Sequence, residues 1–179
     1  MNLPNKLTLF RVALVPVFIA FMMADMVPYH KIWAMIIFIV ASLTDTADGY
    51  IARKYNMVTD FGKFMDPLAD KLLVCSAMIC LIDTNQLASW MVIIIIAREF
   101  IISGFRLIAC DNGIVIAASI WGKLKTICQM VMIIALLWDL PFFGFWVFEQ
   151  ILIWLALVLT IVSLIDYLYK NRRVLSSQK

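Results

Sequence analysis

The stretch IIFIVASLTDTADGYIARK, residues 36–54, starts as a membrane helix and ends in charge. A long apolar run passes directly into Asp45, Asp48, Gly49, Arg53 and Lys54, where a helix in lipid should hold leucine. One charge at the bilayer centre costs at least about 2.5–3.5 kcal/mol on insertion scales. So dense a group therefore needs a physical reason.

The rest of the chain makes lipid the right solvent to consider. Of 179 residues, 64% are hydrophobic, against roughly 45–50% in soluble domains. Only six glycines and five prolines occur, which argues against linkers and low-complexity tails, and no internal repeat stands out. One domain over residues 1–179 is expected. Cys75, Cys80, Cys110 and Cys128 lie in or beside apolar runs without a CxxC pair, so they read as small hydrophobes. His30 is the single histidine and falls in an expected loop, which disfavours histidine-based catalysis. The formal charge of +3 is modest, and no nucleic-acid partner is expected. MNLPNKLTLFRVALVPVF at the N-terminus lacks an A-x-A cleavage site and reads as the start of a first span.

About 20 mostly apolar residues make a membrane helix. Six candidates are predicted, at 7–26, 32–53, 63–82, 87–109, 119–138 and 144–168, giving an all-α integral membrane protein. DMVPYHK, KYNMVTDFG, DTNQ, CDNGIVIAAS and DLPFFG supply the connections. With a cytoplasmic N-terminus, Lys6, Arg11, Arg53, Lys54, Lys63, Arg106, Lys123, Lys125, Lys170, Arg172, Arg173 and Lys179 fall on the inner side. Lys31 alone falls clearly outside, with Asp25, Asp83 and Asp139 at the outer turns. That asymmetry obeys the positive-inside rule, and Trp33, Trp90, Trp138 and Trp146 fit an outer aromatic belt.

Further ionisable residues lie inside the spans: Asp66, Asp70, Arg98, Glu99, Arg106, Lys123 and Lys125. Asp45 and Asp48 are three apart, and Gly49 and Arg53 four apart, so they border one helix face. Gly62, Asp66 and Asp70 share a face of the next helix. A short loop makes the two helices antiparallel neighbours, so four carboxylates converge near the cytoplasmic side. Such a group repels itself in a low dielectric. An all-oxygen set without His or Cys suits hard cations, Mg²⁺ or Mn²⁺. Two such ions beside a phosphate make a phosphoryl-transfer clamp. Plainer readings stand beside this one. Asp66 precedes Pro67 and would serve as an N-cap; Arg53 would serve as an interfacial anchor; Arg98–Glu99 would serve as a structural pair.

Residues 45–70 together read D-x2-D-G-x2-A-R-x8-G-x3-D-x3-D, as Asp45, Asp48, Gly49, Ala52, Arg53, Gly62, Asp66 and Asp70. This resembles the signature of the CDP-alcohol phosphatidyltransferases. NLPNKLTLFR, DPLADK, AREFIISGFR and WGKLKTICQ extend the resemblance toward bacterial members that act on glycerol 3-phosphate. It implies six transmembrane helices in the bacterial cytoplasmic membrane, a homodimer, and an active site and both termini in the cytoplasm. It implies transfer of phosphatidyl from CDP-diacylglycerol to sn-glycerol 3-phosphate, giving phosphatidylglycerophosphate and CMP. By the same resemblance Asp45, Asp48, Asp66 and Asp70 bind two metal ions, and Asp70 also acts as general base. Gly49 admits the nucleotide, Arg53 holds the diphosphate, and Thr59 with Asn5, Lys6, Leu7 and Thr8 lies beside the nucleotide.

The acceptor is a dianion and needs cations. Arg98 and Arg106 are eight residues apart on one span, and Lys123 and Lys125 come from the next. Arg98, Arg106 and Lys123 are expected to supply most of the phosphate pocket, with Lys125 beside them and Glu99 orienting Arg98. Three rival classes remain open: a family member using another acceptor, a transporter lined by these charges, and a non-catalytic membrane scaffold.

Overall fold

The computed structural model describes the backbone of residues 3–54, 60–111 and 119–172, and the side chains of 6–44, 65, 68–109 and 119–172. Six helices make up the described chain: α1 (Leu3–Met22), α2 (His30–Lys54), α3 (Asp60–Asp83), α4 (Ser89–Asp111), α5 (Ile120–Trp138) and α6 (Phe143–Lys170). No strand occurs among the described residues.

Five of the six lie within a few residues of the predicted spans, and α1 is the exception. It begins at Leu3 and stops at Met22. Pro4 falls in the first turn, where a missing N–H costs nothing, so the helix starts earlier than apolarity suggests. The outer turns have local causes. After α3, Asn85 takes a left-handed φ of 59°. Its N–H bonds the Ile82 carbonyl at 2.9 Å, and that of Gln86 bonds the Leu81 carbonyl at 3.0 Å. This is the Schellman closure of a helix C-terminus. The Gln86 side chain then donates to the Leu136 carbonyl at 2.9 Å.

The chain forms two compact units. The first comprises residues 1–86 with 133–139, and the second 87–132 with 140–179. In the first, α1 packs along both α2 and α3. Thr8, Arg11, Val15, Phe18 and Met22 form its buried stripe, at the spacing of one helix face. The Phe18 and Phe38 rings meet at 6.2 Å. At the end of this unit where α2 begins, Lys31 pairs with Asp139 at 2.5 Å, and His30 Nδ1 donates to the Phe21 carbonyl at 3.1 Å.

In the second unit α4 packs on α6. Trp90 meets Trp154, Arg98 meets Ser163, and Phe105 meets Tyr167 edge-on at 5.7 Å. Both residue numbers rise together, so the two helices run parallel. Ser119 bonds Asp166 and Cys128 lies against the Leu152 carbonyl, so α5 runs the opposite way. On α6 the small and hydroxyl residues Ala156, Thr160 and Ser163 are buried, while Ile151, Trp154, Val158, Ile161 and Ile165 are 43–62% exposed. Leu152, Ile153, Leu157 and Leu159 are buried beside them; buried small residues let helices approach closely in a bilayer, and exposed large apolar ones suit lipid better than water. Among the described residues α5 and α6 are each long and apolar enough to cross a membrane, and His30–Thr44 is a shorter apolar segment. No disulfide joins Cys75, Cys80 and Cys128.

Candidate functional site

Asp45, Asp48, Gly49 and Arg53 stand on the C-terminal half of α2, and Asp66 and Asp70 on the first half of α3. Only residues 55–59 separate the two helices. The side chains of Asp45, Asp48, Arg53 and Asp66, the whole of Thr59, and the side chain of Asn5 lie outside the described residues. Asp70 is described: it is half-buried and engaged with a neighbour. Three or more His, Cys, Asp or Glu side chains do not come together among the described residues. Asp45 and Asp48 stand three apart on α2, and Asp66 and Asp70 four apart on α3, so each pair falls on one helix face. Such oxygen donors fit a hard divalent ion.

α1 brings two polar groups into the same unit. Lys6 is exposed and Leu7 half-buried, whereas Thr8 and Arg11 are fully enclosed. Sequence reasoning placed Arg11 near the inner membrane face. Its heptad-like spacing from Thr8, Val15 and Phe18 is the signal that would have put it on the packed face.

The second unit holds the basic residues expected at the acceptor, and the structure sorts them. Arg98 is buried, and its Nη1 donates to Glu99 Oε1 at 2.9 Å. Lys125, also buried, donates its Nζ to the same oxygen. Two cations thus share one carboxylate oxygen, and the three side chains sum to +1. Arg98 Nε donates to Ser163 Oγ at 3.2 Å. Ser163 in turn donates to the Thr160 carbonyl at 2.9 Å. Beside the guanidinium stands Gly122, where a Cβ would lie 3.4 Å from Arg98 Nη2. The described carboxylate Asp166 is engaged elsewhere, by Ser119 at 2.8 Å and Lys170 at 2.7 Å.

Arg106 and Lys123 do not join this cluster; both are exposed. The Arg106 guanidinium lies over the Tyr167 ring, 5.7 Å from its centroid. Arg98 and Arg106 are about 12 Å apart along α4, from the rise per residue. The structure therefore joins Arg98, Glu99 and Lys125, and separates them from Arg106 and Lys123. Ser163 escaped sequence reasoning because a serine in an apolar run carries no sign of its partner.

The chain is similar to known proteins along almost all of its length. The family model described as CDP-alcohol phosphatidyltransferase matches residues 1–162. A Bacillus subtilis protein named CDP-diacylglycerol--glycerol-3-phosphate 3-phosphatidyltransferase is 44% identical, over 98% of this chain and 98% of its own. Proteins of the same name from Rickettsia typhi, 38% identical over 93% of this chain and 94% of theirs, and from Haemophilus influenzae, 40% identical over 93% and 91%, are similar across the same extent.

Proposed function

The chain belongs to the CDP-alcohol phosphatidyltransferase family, and we propose that it transfers the phosphatidyl group of CDP-diacylglycerol to sn-glycerol 3-phosphate, releasing CMP. The observation that carries this reading is similarity from end to end: the Bacillus subtilis protein aligns over 98% of both chains. The buried Arg98–Glu99–Lys125 cluster supports a phosphorylated acceptor. Two of its three side chains are cationic and share one carboxylate oxygen, and an anionic acceptor suits such a site. Serine, a zwitterion, and inositol bring no net negative charge.

The protein is read as one catalytic domain of six transmembrane helices, since the family model spans parts of both compact units. The many exposed large apolar side chains of α6 support the membrane setting. The basic residues on the inner side support a cytoplasmic active site, with both termini there, in the bacterial cytoplasmic membrane. A homodimer is part of the same reading.

Asp45, Asp48, Asp66 and Asp70 are the residues that would hold divalent metal, two Mg²⁺ or Mn²⁺ ions; bound there, such ions neutralise phosphate charge and acidify a hydroxyl. Arg53 binds the diphosphate, Gly49 gives the nucleotide room against α2, and Asn5, Lys6, Leu7, Thr8 and Thr59 flank the nucleotide. Arg98, Arg106, Lys123 and Lys125 bring positive charge to the acceptor side. Asp70 accepts the proton of the acceptor's 1-hydroxyl as that oxygen attacks the phosphorus bearing diacylglycerol. The P–O bond to CMP breaks, and CMP leaves with the electron pair. Catalysis of this kind is positioning plus electrostatics. Purified protein should release CMP from CDP-diacylglycerol only when glycerol 3-phosphate is present. Equal release with serine and no glycerol 3-phosphate would sink the reading.

A further inference from the structure

Arg98 is held from two sides. Ser163 cannot turn away from it easily, because its own proton is committed to the Thr160 carbonyl at 2.9 Å. Its lone pairs are thereby left to accept from Arg98 Nε at 3.2 Å. Glu99 takes Nη1 at 2.9 Å. A guanidinium is planar, so two bonds in its plane fix its rotation. Nη2 is the remaining nitrogen, and it lies against Gly122 on α5. Three helices of one compact unit thus set a single plane: α4 carries the arginine, α6 its acceptor, and α5 the gap.

We propose that Ser163 is a positioning residue for the acceptor, turning the Nη2 edge of Arg98 toward the acceptor's phosphate, and that Gly122 keeps that edge uncovered. This rests on the phosphatidyltransferase reading above. Ser163 touches no substrate; it acts through Arg98. Gly122 acts by the absence of a side chain. An alanine there meets Nη2 at 3.4 Å, the short limit of ordinary contact, so the methyl covers donors at little cost to the helix.

The test uses full-length protein in mixed micelles and measures KM for glycerol 3-phosphate and for CDP-diacylglycerol separately. Ser163→Ala should raise KM for glycerol 3-phosphate about tenfold, equivalent to about 1.4 kcal/mol, and change KM for CDP-diacylglycerol less than about twofold. Ser163→Thr, which keeps the hydroxyl, should return the acceptor KM to within about threefold of the parent. Gly122→Ala should raise the same KM selectively, and it keeps the proposal open to refutation if Ser163→Ala does not fold. Both constants moving together, or a Gly122→Ala protein with the parent's acceptor KM, would overturn it. Failure of the two readings can be told apart. If the parent protein ignores glycerol 3-phosphate, the acceptor assignment falls and this inference with it. If the parent uses it and Arg98→Lys raises its KM while Ser163→Ala and Gly122→Ala do not, only the positioning role falls.

Discussion

Asp70 stands one helical turn beyond Asp66 on α3, half-buried, and carries two demands in the proposed reaction. As a metal ligand it should be a weak base; as general base it should be a good one. Looser coordination than its neighbours, or a hydroxyl already acidified, reconciles the two. Asp70→Asn keeps the shape and removes the proton acceptor. It should lower CMP release by at least about 10²–10⁴-fold, the usual weight of general-base catalysis, with an unchanged melting temperature in detergent. Activity within a few fold of the parent would move the base elsewhere. Residue types alone single out Asp45 to Asp70 as a candidate site, since a carboxylate in an apolar run is too costly to persist without a partner, though the side chains of Asp45, Asp48 and Asp66 lie outside the described residues. The burial of two basic residues, Arg11 and Lys125, had no such signal. Lys125 lies near the start of α5, where snorkelling to the surface is the usual outcome, and Arg11 lies midway along α1, yet both are fully enclosed. Only the packed neighbours distinguish the two outcomes.

Among the elements, α4 and α5 are joined by charge where apolar contact alone would give weak selectivity. Lipid tails are as apolar as leucine, so helices in a bilayer associate through close packing and polar bonds. Glu99→Ala removes the carboxylate shared by Arg98 and Lys125. Breaking one side of a buried ionic group costs about 3–5 kcal/mol. The variant should melt several degrees below the parent in mild detergent, and Glu99→Gln less far. A melting curve unmoved by Glu99→Ala would mean that both cations reach water. Helix ends other than those of α1 were legible to within a few residues because turn formers and isolated charges bracket the apolar runs. The parallel course of α4 and α6 follows from three cross-helix partners, and no periodicity announces such partners in advance.

At the scale of the whole molecule, two properties await measurement. Chelation with EDTA should abolish CMP release, and Mg²⁺ or Mn²⁺ should restore it; full activity in EDTA would remove divalent ions from the reaction. Orientation is open to impermeant thiol labelling of intact cells, in a background without the native cysteines. Lys31→Cys, at the end of the first unit where Lys31 meets Asp139, should label from outside. Arg172→Cys should label only after permeabilisation, and the opposite pattern would invert the reading. The composition made a membrane setting plain. The assignment of residues to two compact units was not legible, because α5 contributes to both.

The sharing of Glu99 Oε1 by Arg98 and Lys125 also bears on how the protein is best handled. A binder that favours the folded state adds to stability by mass action, about 2.7 kcal/mol at a hundred times its dissociation constant. Glycerol 3-phosphate should therefore raise the melting temperature of the purified protein without any CDP-diacylglycerol, and inorganic phosphate should do so more weakly. Arg98→Ala should abolish both increments. The choice of buffer anion then becomes a practical variable: purification in phosphate should prolong the protein's life in detergent, and a thermal-shift screen of simple anions should rank them by their fit to the acceptor pocket.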